Sequence, residues 1–277
     1  MTNIGSNVNR ATSNVNPFLF CLFLLVTLQF SAWAALDLSE IGVGARPLGL
    51  GKAYVGVADD ASAVFTNPAG LSLNDNLNIV SMSGAMLGDV NYFLLGAADI
   101  TPIGRFGFGY INASVGSIPL TGLAGSGPSL EAVQYGSSDY GSSQFIFSYG
   151  SRLSRFLKNG AGDNVDIGAS LKLFTQGFTG GAAPPTGGDN PLNNATGSGM
   201  DADLGLMWQA SSWANLGLVF QNFLPESFGG KFVWQKNNVI DDIPLVTKLG
   251  GQFHVLGPAP AALYRDEKKT LDLSLDY

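Results

Sequence analysis

Val165-Asp-Ile-Gly-Ala-Ser-Leu-Lys-Leu-Phe-Thr-Gln-Gly-Phe178 switches character at almost every residue. Ile167, Ala169, Leu171 and Leu173 fall on one side, while Asp166, Gly168, Ser170, Lys172 and Gln176 fall on the other. A helix would gather apolar residues three and four apart, whereas a strand sends successive side chains to opposite faces. The stretch reads as a strand with one apolar and one polar face. The pattern returns with Ala202, Leu204, Leu206 and Trp208 against Asp201, Asp203, Gly205 and Gln209. It returns again with Leu271, Leu273, Leu275 and Tyr277 against Thr270, Asp272, Ser274 and Asp276.

Extending the pattern outward predicts strands over 77–86, 90–101, 105–118, 143–154, 165–178, 199–210, 215–225, 245–256 and 269–277. Most match the roughly 9–11 residues that a tilted strand needs to cross a bilayer. The fold class is therefore all-β, an antiparallel transmembrane barrel with apolar faces toward lipid. The faces carrying Asp166, Lys172, Asp201, Asp203, Lys248 and Asp272 point into the lumen. A soluble sandwich or lipocalin-like barrel would use the same leucines inside, but sandwich strands are usually about 5–6 residues. Tyr92, Phe93, Tyr149, Trp208, Trp213 and Phe223 near strand ends suit interfacial girdles.

Composition agrees with lipid as a surrounding. Charged residues make up 13% of the 277-residue chain and mean hydropathy is +0.19, where a soluble domain carries about 25% charged residues. No apolar run reaches the 18 or so residues of a membrane helix. Only helices and closed barrels satisfy their backbone in hydrocarbon. Export is written at the N-terminus: Arg10, an apolar run Phe18–Phe30, then Ala32-Trp33-Ala34, predicting a signal peptide over 1–34 cleaved near Ala34/Ala35. Cleavage removes Cys21, the only cysteine, and leaves 13 basic against 21 acidic residues. Disulfides and thiolate metal sites are excluded, and an acidic chain without a basic cluster is no nucleic-acid binder.

The connections after the third, fifth and seventh strands, roughly 119–142, 179–198 and 226–244, are longer than the alternate ones. Outer-membrane barrels have long extracellular loops and short periplasmic turns, so odd strands run outward.

Residues 35–76 do not alternate and form a separate N-terminal hatch ahead of the barrel strands of 77–277. Asp59 or Asp60 can cap a turn through Ala61–Phe65; Asn67-Pro68 supplies a cap and a first-position proline, with Gly70 ending that turn. Neither nucleotide motif survives inspection. Arg46 and Ala53 break the phosphate-loop pattern around Gly49-Leu50-Gly51-Lys52, and Pro47 replaces the third glycine of a dinucleotide turn.

Gly44-Ala-Arg-Pro-Leu-Gly-Leu-Gly-Lys-Ala-Tyr54, Ala58-Asp-Asp-Ala-Ser62 and Phe65-Thr-Asn-Pro-Ala-Gly-Leu71 together resemble the N-terminal signature of the FadL-like outer-membrane barrels, closest to the PorV/PorQ branch. The resemblance implies a 14-stranded barrel with an N-terminal hatch. Gly44, Arg46, Gly49, Gly51, Asp59, Asp60, Asn67, Pro68 and Gly70 would be its signature positions, reading as hatch structure. It implies a non-enzymatic role with outer-membrane lipid around the chain and no cofactor. The partners would be secretion-apparatus proteins and secreted cargo of type IX secretion. The alternative is a FadL-type channel for long-chain fatty acids or other hydrophobic compounds.

Catalysis finds little footing. His254 is the only histidine, no serine or carboxylate partner adjoins it in sequence, and one histidine without cysteine makes no metal cluster. The nine strands counted are odd in number, whereas bacterial single-chain barrels are even. The rival count of eight drops 77–86, but such a lumen is filled by its own side chains. The expectation is an incomplete chain, lacking C-terminal strands, with unpaired edges at 77–86 and 269–277.

Overall fold

Strand formation follows the alternation. β1 (Asn78–Met86), β2 (Val90–Thr101), β3 (Gly104–Ala124), β4 (Glu131–Arg152), β5 (Val165–Thr179), β6 (Thr196–Ser211) and β7 (Ala214–Gln221) pair consecutively in one antiparallel sheet. The short β8 (Lys231–Trp234) and β9 (Ile240–Asp241) form a hairpin that continues along the far part of β6. β10 (Val246–Gly257) pairs with β7, then takes β12 (Leu271–Asp276) antiparallel and β11 (Tyr264–Arg265) through a two-residue parallel contact. The computed structural model describes Leu38 and residues 43–86, 89–125, 127–157, 162–185, 190, 192–258 and 260–277. The signal-peptide reading of 1–34 and the start of the hatch lie outside these residues.

The sheet is curled and turned inside out relative to a soluble protein. Along β5, Asp166, Ser170, Lys172 and Gln176 are buried while Leu171 and Leu173 are exposed. Neighbouring strands keep the register: Lys172 stands opposite Asp201, and Leu171 opposite Phe147 and Ala202. The exposed face carries Phe93, Leu95, Phe106, Phe145, Phe147, Leu204, Leu206, Trp208, Leu216 and Phe220. Aromatic pairs knit it, with Tyr110 and Phe145 rings 4.8 Å apart and Phe106 and Tyr149 5.2 Å apart. Among the described residues no helix is long and apolar enough to cross a membrane.

Three sequence expectations change. The stretch 119–142 is not a loop, because β3 and β4 continue to Ala124 and from Glu131. Beyond Val115 and Asp139 neither strand pairs with a third strand, and apolar residues fall on both faces of the ribbon, Leu120 buried and Leu123 exposed, so the sequence there does not alternate. Ser117, with φ 57°, marks the bulge where it begins. Likewise 226–244 contains the β8–β9 hairpin. Tyr92, expected in a girdle, is buried on the inner face instead. The eight-strand alternative also falls, since 78–86 pairs with β2 along its whole length. β1 lies at one end of the sheet and β11 and β12, both on β10, at the other, and the two ends are not paired with each other among the described residues.

Candidate functional site

The inner face of the sheet carries residues 43–76, folded as α1 (Ala45–Gly49), α2 (Ala63–Thr66) and a 3-10 helix (Pro68–Leu73). Its apolar side chains join the sheet in one core, where Tyr54, Val64, Phe65 and Leu71 meet Leu94, Ile111 and Ile146. Such short helical turns are not stable alone and hold their shape through packing.

Glycines on the strands make that packing close. A Cβ on Gly96 would sit 2.7 Å from the Phe65 ring, and one on Gly107 would sit 2.5 Å from Val64. Gly150, Gly168 and Gly205 are cross-strand neighbours on β4, β5 and β6, and they receive Asn67, Pro68 and Ala69. A Cβ on Gly150 would lie 2.6 Å from the Pro68 carbonyl oxygen, and one on Gly205 3.0 Å from the Pro68 ring. Farther along, Gly217 and Gly250 pair across β7 and β10, beneath Val55 and Gly56. Gly168 and Gly205 are recognisable in sequence as polar-face positions, but their shared track is not. Alignment across strands depends on register, which one strand's pattern does not reveal.

Polar contacts lock the same segment. Asn67 is fully buried; its Nδ2 donates to the Val55 carbonyl at 2.8 Å, and its Oδ1 accepts from the Ala69 amide at 3.1 Å. That is the predicted cap, with Pro68 at the first position. Gly70 does not end the turn as expected. The 3-10 helix runs on to Leu73, and Gly70 is small because a Cβ would strike the Ala58 carbonyl. From the far end of the sheet, Asp276 Oδ2 accepts from the amides of Tyr54 at 2.6 Å and Val55 at 2.8 Å. Nothing in the local sequence announces that bond across 222 positions.

The remaining signature residues form a second knot. Arg46 bonds Asp59, reaches Asp60 at 3.2 Å, and donates to the Tyr54 hydroxyl at 3.1 Å. The Asp59 hydrogen bond strengthens protonation of the Arg46 guanidinium, and burial pushes the Tyr54 phenol well above its ordinary range. Asp60 Oδ1 accepts from the Ser62 amide at 2.7 Å, so of the pair it is Asp60 that caps the turn leading into α2, whose own N-cap, Ser62, makes no side-chain cap bond. Gly44 takes φ 87° against Ser62, where a side chain would be both strained and crowded. Gly49 and Gly51 face open space on α1's outer turn. The structure thus gathers Gly44, Arg46, Asp59 and Asp60 at one place, Asn67, Pro68 and Gly70 at another, and leaves Gly49 and Gly51 apart.

Charges fill the rest of the inner face. Lys172, wholly buried, lies 2.9 Å from Asp203 and donates to Asn222 Oδ1 at 3.1 Å. Asp203 accepts from the Asn222 amide and Asp201 from the Leu224 amide, each at 2.9 Å. Arg152 approaches Asp166 at 3.6 Å, their register positions being opposite. Lys248 and Asp272 are less enclosed. His254 Nδ1 pairs with Asp272 Oδ1 at 2.7 Å, a partner eighteen positions away that no local spacing suggests. No group of three metal-ligating side chains occurs among the described residues.

Comparison with protein-family models finds none that matches the chain, and no curated protein matches it.

Proposed function

We propose that the protein is an outer-membrane β-barrel protein of the FadL-like PorV/PorQ kind, serving protein secretion or transport across that membrane without catalysing a reaction. The supporting observation is the sheet's inversion, with Phe147 50% exposed on one side and Lys172 fully buried on the other. In water such an outward face would be an aggregation surface; in lipid it is the stable arrangement. In this reading residues 35–76 are the hatch inside the barrel, and 1–34 are removed during export. Outer-membrane lipid surrounds the strands, and secretion-apparatus proteins and secreted cargo meet the extramembrane loops. The glycine-seated hatch supports a fixed structural plug better than a freely swinging gate, because its backbone lies directly on the strands.

The FadL-type alternative, uptake of long-chain fatty acids or other hydrophobic compounds, has one observation in its favour. An apolar groove of about 620 Å³ runs on the outward face past Ala97, Phe106, Phe147 and Ala169. Deletion of the gene separates the readings. Missing secreted proteins with normal growth on long-chain fatty acids supports secretion, and the reverse supports uptake. Both readings fail if neither changes. Recovery of the mature chain as a soluble periplasmic protein would defeat the membrane assignment itself.

A further inference from the structure

The chain is acidic, with a formal charge of −7, yet three of its six arginines converge on one cavity of about 350 Å³. Arg105, Arg152 and Arg155 line it together with Ser72 and Asp75, where the 3-10 helix of the segment 43–76 meets the ends of β3 and β4. Three like charges repel unless something opposite balances them. Asp75 answers Arg105 at 3.6 Å from a largely exposed position, and Asp166 answers Arg152 at 3.6 Å. Arg155 has no carboxylate within ion-pair distance among the described residues; one of its guanidinium nitrogens donates to the Pro102 carbonyl at 3.0 Å. Arg105 is held similarly, its Nε donating to the Asn74 carbonyl at 2.9 Å. Backbone carbonyls orient these guanidinium groups without neutralising them, leaving further N–H donors on each fork.

We propose that this cavity is a binding site for an oxyanion, a phosphate- or phosphodiester-bearing ligand. Planar guanidinium forks match the oxygens of such groups two at a time, which point-charge lysines cannot do. One unit of positive charge is left over once the two carboxylates are counted, and a monoanionic group balances it. The ligand has two sources, free phosphate and a phospholipid headgroup, that share this chemistry. The site stands independently of whether the barrel serves secretion or uptake.

The test uses the full-length protein in detergent, with inorganic phosphate and, separately, monomeric short-chain phosphatidylglycerol as probes, each followed by phosphorus NMR line broadening. Binding should weaken about tenfold in Arg155→Ala, the loss of one charge-assisted fork. Asp75→Asn should tighten binding severalfold, because it removes the competing carboxylate. That gain keeps the test informative if Arg155→Ala folds poorly, since a purely structural ion-pair network would gain no anion affinity. Binding of both probes with these dependences identifies a general oxyanion site, and binding of the lipid alone identifies a headgroup site. The proposal is overturned if neither probe binds, or if both variants bind as the unaltered protein does.

Discussion

The β3–β4 hairpin is two structures in one pair of strands. Between Arg105–Val115 and Tyr140–Gly150, it is framed by β2 and β5; Phe106, Phe108, Tyr110, Phe145, Phe147 and Tyr149 point outward, followed at one end by Asn112, Ser114 and Ser143, while glycine, serine and core residues point inward. From Ile118 to Ala124 and Glu131 to Ser138, the same strands run on as a two-stranded ribbon, where residue type no longer follows the face: Leu120 is buried and Leu123 exposed. A two-stranded ribbon is marginal on its own. This one leans through Leu120 on the segment after β5 at Gly181, and Ala182 lies beside Gly136. Hydrogen bonding makes a strand in both halves, whereas alternation records a difference between the environments of two faces. In the ribbon burial still alternates, Leu120 buried and Leu123 exposed on the opposite face, but residue type does not follow it, so the strand forms with no alternating signature in the sequence.

The strongest way to break the framed half's rule is to fill the inner face. Gly168→Leu places a side chain in the Pro68–Ala69 backbone and should cost about 4 kcal/mol or more. Limited proteolysis should then cut within 43–76, which the unaltered protein protects. Intact protection would mean that the segment is not seated on the glycine track.

Removing charge from the same face is next. Lys172→Met removes the ammonium that faces buried Asp203 and leaves that carboxylate only neutral donors such as the Asn222 amide, at about 3–5 kcal/mol. The urea midpoint of the folded protein should fall accordingly, and Lys172→Met with Asp203→Leu should recover part of the loss. An unchanged midpoint for the single variant would indicate that water, not Lys172, compensates Asp203.

The outward face gives the direct contrast within one hairpin. Phe147→Arg should cost about 2–4 kcal/mol if that position lies near the bilayer midplane. Leu123→Arg, on the ribbon, should stay within about 0.5 kcal/mol. Phe147 and Leu123 are 50% and 51% exposed, so solvent accessibility alone predicts equal effects. Equal unfolding midpoints for the two variants in lipid would dissolve the distinction between the halves.

By itself, the sequence determined the strands whose faces differ and the caps whose chemistry is local. Asp166, Ser170 and Lys172 against Leu171 and Leu173 dictate a polar and an apolar face, because side-chain direction alternates whatever the strand pairs with. Asn67-Pro68 and Asp60 cap turns through bonds spanning two residues, so three or four letters suffice to find them. Only the tertiary structure decided that β3 and β4 outrun their neighbours, and that Arg105, Arg152 and Arg155 share one cavity. It also decided that Asp276 holds Tyr54 and Val55 in place. Each depends on cross-strand register or on contacts between distant segments, and these arise only when the whole sheet pairs and curls around residues 43–76.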